Sequence, residues 1–175
     1  MGYITWKLSH SEKALAIAEG ERRQSVNMAQ GKIGRDRGPT HGQDALRVHI
    51  LGAGGEMAVA SYLGLKNEVF KEIEARRGSY DLPPDIDVKT RARHYYDLAC
   101  MLDETSSKTL VLVTIEHQEI RIHGWIKAYD AMQDKWKKSH VPGRVSYFVP
   151  KENLRPIEEL KECLAAQTLP STLFD

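Results

Sequence analysis

Residues 110–113, Leu-Val-Leu-Val, constrain the fold of this chain more than any other feature. With Thr114 and Ile115 they make an almost continuous apolar run, too short for an ordinary helix. Such a run fits a strand covered on both faces, in the middle of a sheet. Residues 119–125 then alternate, with Ile120 and Ile122 on one face and Arg121 and His123 on the other. They predict a neighbouring strand, joined through a turn near His117 and Gln118. A central strand buried on both sides needs layers over both faces, so the expected class is α/β: a mixed central β-sheet flanked by helices.

The flanking segments supply those helices. Ser9 or Ser11 can cap a helix through Glu12, Ala14, Leu15, Ala18, Arg22 and Val26, with Lys13, Glu19, Glu21 and Arg23 expected on its far, solvated side. Residues 52–64, Gly-Ala-Gly-Gly-Glu-Met-Ala-Val-Ala-Ser-Tyr-Leu-Gly, read as a short buried helix whose one charge, Glu56, shares a stripe with Val59, Ala60 and Leu63. The glycine-rich opening lacks the spacing of either common phosphate-binding loop, which argues against a nucleotide cradle. Val69, Phe70 and Ile73 suit a strand or a helical turn. Trp125, Tyr129, Met132 and Trp136 fall on one helical stripe, with Lys127, Asp130, Asp134, Lys135 and Lys137 mostly elsewhere, and predict a second amphipathic helix. Residues 145–149 predict a last strand, Leu154, Ile157, Leu160 and Leu164 a closing helix with Pro156 near its start, and the tail from Gln167 a frayed end.

The 175 residues suit a single domain. Its core is expected at about 45–165, with the helix at 9–30 and a glycine-rich basic loop at 31–44 as an appendage. That loop carries Lys32, Arg35 and Arg37 and is either a solvated connector or an arm that contacts phosphates. The formal net charge is +1, so a nucleic-acid partner would require acidic and basic residues segregated into separate patches. Two cysteines, Cys100 and Cys163, make neither a disulfide framework nor a metal cluster and fit ordinary thiols in a reducing cytosol. No secretory signal is visible in residues 1–8 and no run is long enough to cross a membrane, so a cytoplasmic protein is expected.

The chemistry concentrates at Tyr80-Asp81-Leu82-Pro83-Pro84-Asp85-Ile86-Asp87-Val88-Lys89-Thr90. The prolines force a turn and an extended entry, and residues 85–90 alternate as a strand. Asp85, Asp87 and Lys89 therefore project to one face, with Ile86 and Val88 on the other. Aligned carboxylates repel, and a cation such as Mg²⁺ relieves the repulsion. A glutamate facing inward from an apolar helix is likewise costly unless paired or metal-bound. Carboxylates holding a divalent metal, with a lysine to orient or deprotonate water or to neutralise developing charge, are what phosphodiester cleavage needs. Taken alone, an Asp-x-Lys strand with a charged wet face would need no function. Arg91, Arg93 and His94 follow directly and either grip a phosphate backbone or line a solvated edge. His49 and His123 have no second histidine at ligand spacing and read as core or surface residues. Glu116 and Gln118 are weaker candidates for positioning substrate or water.

Gly55-Glu56, Pro84-Asp85 and Asp87-Val88-Lys89, in this order, resemble the PD-(D/E)xK nuclease superfamily, whose fold is that of restriction endonucleases. The run from Gly52 through Asp87-Val88-Lys89 to Gly124-Trp125-Ile126, within residues 49–130, is similar to small phage-associated members. The resemblance implies a restriction-endonuclease-like fold in a phage- or prophage-encoded protein. It implies a DNA nuclease dependent on Mg²⁺, with Mn²⁺ able to substitute, that can work as a homodimer because one site cuts one strand. It makes Glu56, Asp87 and Lys89 catalytic and Asp81 or Asp85, Asp87 and Glu56 the metal ligands. One departure matters: Asp85 stands only two residues before Asp87, so Asp81, across the proline turn, is the alternative first acid. Competing readings are a catalytically silent DNA- or protein-binding module on the same fold and a small-molecule enzyme such as a nucleotide hydrolase.

Overall fold

The computed structural model describes residues 2–31, 43–71 and 80–168. A four-stranded mixed sheet runs in the order β1 (Ile4–Trp6), β5 (Glu119–Lys127), β4 (Thr109–Glu116), β2 (Ile86–Arg91). β2 lies parallel to β4, while β5 is antiparallel to both β4 and β1. A second, three-stranded antiparallel sheet joins β3 (Leu98–Met101), β7 (Arg144–Val149) and β6 (Lys137–Val141) in that order. The helices are α1 (His10–Ala29), α2 (Gln43–Leu63), α3 (Ala128–Ala131) and α4 (Ile157–Thr168). The expected class, α/β with a mixed sheet and flanking helices, is the one observed. Among the described residues no helix is long and apolar enough to cross a membrane.

β4 divides the core. Leu110, Val111, Leu112 and Val113 are all completely buried, because Val111 and Val113 face α2 while Leu110 and Leu112 face the second sheet. The first cluster includes Met57, Val59, Ile86, Val88, Ile122 and Ile157, and the second Leu98, Ile126, Trp136, Val149 and Leu154. Each of these buried side chains stabilises the fold by about 1.5–3 kcal/mol relative to exposure.

Two sequence expectations fail here. The stripe from Trp125 to Trp136 is not one helix: Trp125 lies in β5, α3 is a single turn, and Trp136 closes a separate 3-10 turn, Asp134–Trp136. β4 explains this. Its residues Thr109 to Leu112 pair with Lys127 back to Gly124, and a helix beginning at Trp125 would leave those buried backbone groups unpaired. α1 is also turned the other way. It buries Glu12, Ala16, Glu19, Gly20 and Gln24 and exposes Leu15, Ile17, Ala18, Val26 and Met28. Its partner α2 approaches so closely that a Cβ on Gly20 would lie 2.6 Å from Ile50 Cγ1, and the polar face rather than the apolar one forms the contact. Ser9 caps this helix with a complete capping box, accepting from Glu12 N at 3.2 Å while Ser9 N donates to Glu12 Oε2 at 2.7 Å. The strands β1, β3 and β6 were not anticipated.

Candidate active site

β2 is an edge strand of the mixed sheet, and the chain before it folds back on it. Asp81 N and Leu82 N donate to Ile86 O at 2.8 and 3.0 Å, and Ile86 N returns a bond to Leu82 O at 2.9 Å. The tight turn through Pro83 and Pro84 makes this return, and Asp81 Oδ2 accepts a further bond from Val88 N at 2.7 Å. Asp81 is thereby set against Asp87, and the two carboxyls are hydrogen-bonded to each other. Asp85 goes elsewhere, contrary to the expectation that it shares a face with Asp87 and Lys89. β2 begins at Ile86, and the Asp85 carboxylate accepts from Thr109 Oγ1 at 2.9 Å and Lys127 Nζ at 2.6 Å.

Asp87 and Lys89 sit in a ring of alternating charge. Lys89 Nζ lies 3.0 Å from Asp87 Oδ2 and 2.6 Å from Glu104 Oε2. Lys108 Nζ closes the ring at 3.1 Å from Asp87 Oδ2 and 3.1 Å from Glu104 Oε1. All four side chains are largely shielded from solvent, at 8 to 19% exposure, so the charges act in a medium of low polarity. Glu104 comes from the β3–β4 connection and Lys108 from the residue before β4, and neither was foreseen. No local pattern marks them, because the parallel register of β2 on β4 is what brings them to Asp87. Cys100 borders the ring, and burial, with the Glu104 charge next, pushes its thiol up to about 11, so it stays protonated.

The protonation states follow from these neighbours. Burial, then the negative charges of Glu56 and Asp87, push the Asp81 carboxyl well above its usual range. Burial also raises Asp87, but Lys89, the Asp81 hydrogen bond and Lys108 outweigh it and hold that carboxyl below its usual range. The two shifts run in opposite directions, so Asp81 is the acid of the pair that holds a proton more strongly and Asp87 the one that gives it up more readily. Lys89 is lowered by burial yet raised overall by Asp87 and Glu104. It is an ammonium at neutral pH, which removes it as a base and leaves it an electrostatic role.

Glu56 does face inward from α2 as the helical stripe requires, and it is buried. Gly55 brings it to β2, since any side chain there would collide with Thr90. Its carboxylate is nevertheless held by Arg23, at 2.6 Å to each oxygen, and Arg23 also reaches Glu19 Oε1 at 2.7 Å. The expected metal role of Glu56 meets this competing partner on α1: the costly inward carboxylate is already neutralised. Arg23, read from sequence as a solvated residue, is the group that does it. Glu56 remains near enough to raise Asp81 by its charge.

Of the expected nucleic-acid contacts, Arg91 continues the face of Asp87 and Lys89 along β2 and lies over the Tyr96 ring, 4.8 Å from its centroid. Arg93 is exposed, 3.6 Å from Glu116 Oε1. His94 is drawn into the protein instead: its N–H donates to Glu116 Oε2 at 2.8 Å and its Nδ1 meets Thr114 Oγ1 at 2.7 Å. The same hydroxyl meets His123 Nε2 at 2.7 Å, which gives both His123 and Glu116 structural partners. Arg35 and Arg37 lie outside the described residues.

Among the described residues no three His, Cys, Asp or Glu side chains are grouped so as to hold a metal ion. The Asp81–Asp87 pair nonetheless suits Mg²⁺. That ion takes hard oxygen donors, keeps several waters, and commonly binds through one or two carboxylates and a substrate phosphate. No protein-family model, no curated protein and no solved structure matches this chain.

Proposed function

We propose that the chain is a divalent-metal-dependent deoxyribonuclease of the PD-(D/E)xK type, on a restriction-endonuclease-like arrangement of the mixed sheet. The observation that carries this reading is the Asp81–Asp87 carboxyl pair set beside the Lys89 ammonium on an edge strand. A carboxyl raised by burial and neighbouring negative charge favours a bound cation as it favours a proton, so binding a hard cation would release that proton. Asp81 and Asp87 would hold Mg²⁺, or Mn²⁺ in its place, and the ion supplies a more acidic water and charge stabilisation on the phosphate.

The chain's own residues do the rest. Lys89, held by Asp87 and Glu104, places a fixed positive charge where negative charge develops on the scissile phosphate. Lys108 fixes Asp87 from the other side and offsets its charge. Glu56, paired with Arg23, orders the α1–α2 contact behind Asp81, and its remaining field raises that acid's affinity for a proton or for a cation. Cutting both strands of a duplex would call for two copies of the chain, since each carries one such site. A catalytically silent DNA-binding module is the second reading. It is favoured by one observation: Asp87 Oδ2 is already met by two ammonium groups.

The test is to incubate the purified protein with linear, supercoiled and branched DNA in Mg²⁺, Mn²⁺ or EDTA, beside Lys89→Ala. Cutting that needs metal and is lost in the variant supports the nuclease. DNA binding with no cutting in either metal turns the assignment to the silent module, and equal cutting by the variant refutes this site.

A further inference from the structure

Beyond Lys89 along β2 opens a cleft of about 750 Å³. Its floor is one face of the second sheet. Strand alternation brings Ala99 and Met101 of β3, Arg144, Ser146 and Phe148 of β7, and Lys138 and His140 of β6 to that face. The opposite face, with Leu98, Cys100 and Val149, is buried in the core. The wall is Arg91 at the end of β2 and the connection after it, with Tyr95 and Tyr96. Arg91, Lys138 and Arg144 bring three cations to the lining against the single carboxylate of Asp97. A solvated sheet face normally shows scattered polar side chains. Here it shows cations interleaved with rings: Tyr95 and Tyr96 stand edge to face at 4.7 Å, and His140 does the same to Phe148 at 4.4 Å.

We infer that this cleft binds an unpaired DNA strand, with bases against Tyr96 and Phe148 and phosphates along Arg91, Lys138 and Arg144. The inference rests on the nuclease reading for the identity of the ligand as substrate. Rings offer their faces to bases only where those bases are unstacked from a partner strand, whereas cations serve any phosphate backbone. The combination therefore selects single-stranded over duplex DNA. Asp87, Lys89 and Arg91 alternate on one face of β2, so Arg91 is one strand repeat, about 7 Å, from Lys89. Arg91 thus belongs both to the wall of the cleft and to the face of β2 that carries Asp87 and Lys89, and the substrate is a duplex with a frayed or unpaired end rather than a continuous helix.

The experiment is fluorescence anisotropy with a labelled 12-nucleotide single strand and its duplex, in EDTA, on the wild type, Tyr96→Ala, Lys138→Glu and Lys13→Ala. The single strand is expected to bind at least tenfold more tightly than the duplex. Tyr96→Ala, which removes one stacking surface, is expected to weaken it about tenfold. Lys138→Glu, at an exposed position, is expected to weaken binding and flatten its salt dependence, and Lys13→Ala, exposed on α1, to leave binding intact. Equal or tighter duplex binding, or wild-type affinity in both cleft variants, overturns the inference. The two readings separate cleanly. Metal-dependent cutting by protein that shows no single-strand preference removes the cleft and keeps the nuclease. Single-strand binding lost in the cleft variants, with no cutting in any metal, keeps the cleft and removes the nuclease.

Discussion

Lys108 Nζ lies 3.1 Å from Asp87 Oδ2, the same oxygen that Lys89 meets at 3.0 Å. Glu104 bridges the two lysines from the far side, so each ammonium is held between two carboxylates. Removing Glu104 leaves two buried cations facing one carboxylate. Glu104→Ala is therefore expected to cost about 3 kcal/mol of stability. Lys89 would also lose its closest partner, and metal-dependent cutting should fall 10- to 100-fold, as for other residues that orient a site without touching substrate. Urea unfolding and a cleavage time course check the two effects, and wild-type values in both would show that the ring does not organise the site.

Asp81 is the acid of the Asp81–Asp87 pair raised above its usual range, so Asp81→Asn mimics its protonated form. A carboxyl raised above its ordinary value of 3.8 holds a proton in the folded chain that the unfolded chain has released. The metal-free protein should thus lose stability as pH rises from about 4 through the raised value, and Asp81→Asn should remove that slope. Mg²⁺ at a hundredfold excess over its Kd should stabilise the wild type by about 2.7 kcal/mol and leave Asp81→Asn unchanged. Titration calorimetry in two buffers of different ionisation enthalpy should show proton release on binding. Equal stabilisation of the variant by Mg²⁺ would place the ion elsewhere.

The sheet was legible in the sequence because its signals are local. The apolar run at β4 and the alternation of β5 report burial directly, and Asp87 and Lys89 share a face by strand parity alone. The partners of those residues were not legible. Glu104 and Lys108 reach the site through a loop and a parallel register, and Asp81 through a proline turn whose direction no spacing specifies. Nor does spacing show that the turn returns Asp81 to Val88 while Asp85 meets Lys127. α1 misled for a different reason. Hydrophobic periodicity assumes that a helix packs by its apolar face, and this one packs by Glu12, Glu19, Gly20 and Gln24 onto α2 and exposes Leu15 and Ile17.

His123 gives the acid side of the stability curve. Burial, followed by the charges of Lys151, His94 and Arg121, lowers its imidazole from 6.5 to about 4, and the Thr114 hydroxyl holds it. A histidine depressed in the folded state binds its proton more readily when unfolded. Its contribution is complete above about pH 6.5 and is lost as pH falls towards 4, by up to about 3 kcal/mol. Urea midpoints measured between pH 4 and 7 should flatten in His123→Gln, which has no charge to gain. An unchanged slope would assign the acid sensitivity to another group.

Arg23 and Glu56 make the most demanding prediction, because they separate a structural role from a chemical one. Each Glu56 oxygen lies 2.6 Å from an Arg23 nitrogen, between helices that also meet through Glu12 with Ser61 and Asn27 with His49. Breaking such a pair from one side strands a buried charge and costs about 3–5 kcal/mol, whereas replacing both partners with apolar residues is often neutral. Arg23→Met should therefore be strongly destabilising, and Glu56→Leu added to it should restore most of the loss. If Glu56 serves only the helix contact, the double variant also recovers metal-dependent cutting. If its charge is needed to keep Asp81 receptive to a cation, the double variant folds but binds Mg²⁺ more weakly. The second outcome is expected, since the Glu56 charge acts on Asp81 together with that of Asp87. Thermal melts with and without Mg²⁺ on the double variant decide it: an undiminished Mg²⁺ shift would reduce Glu56 to half of a helix clamp.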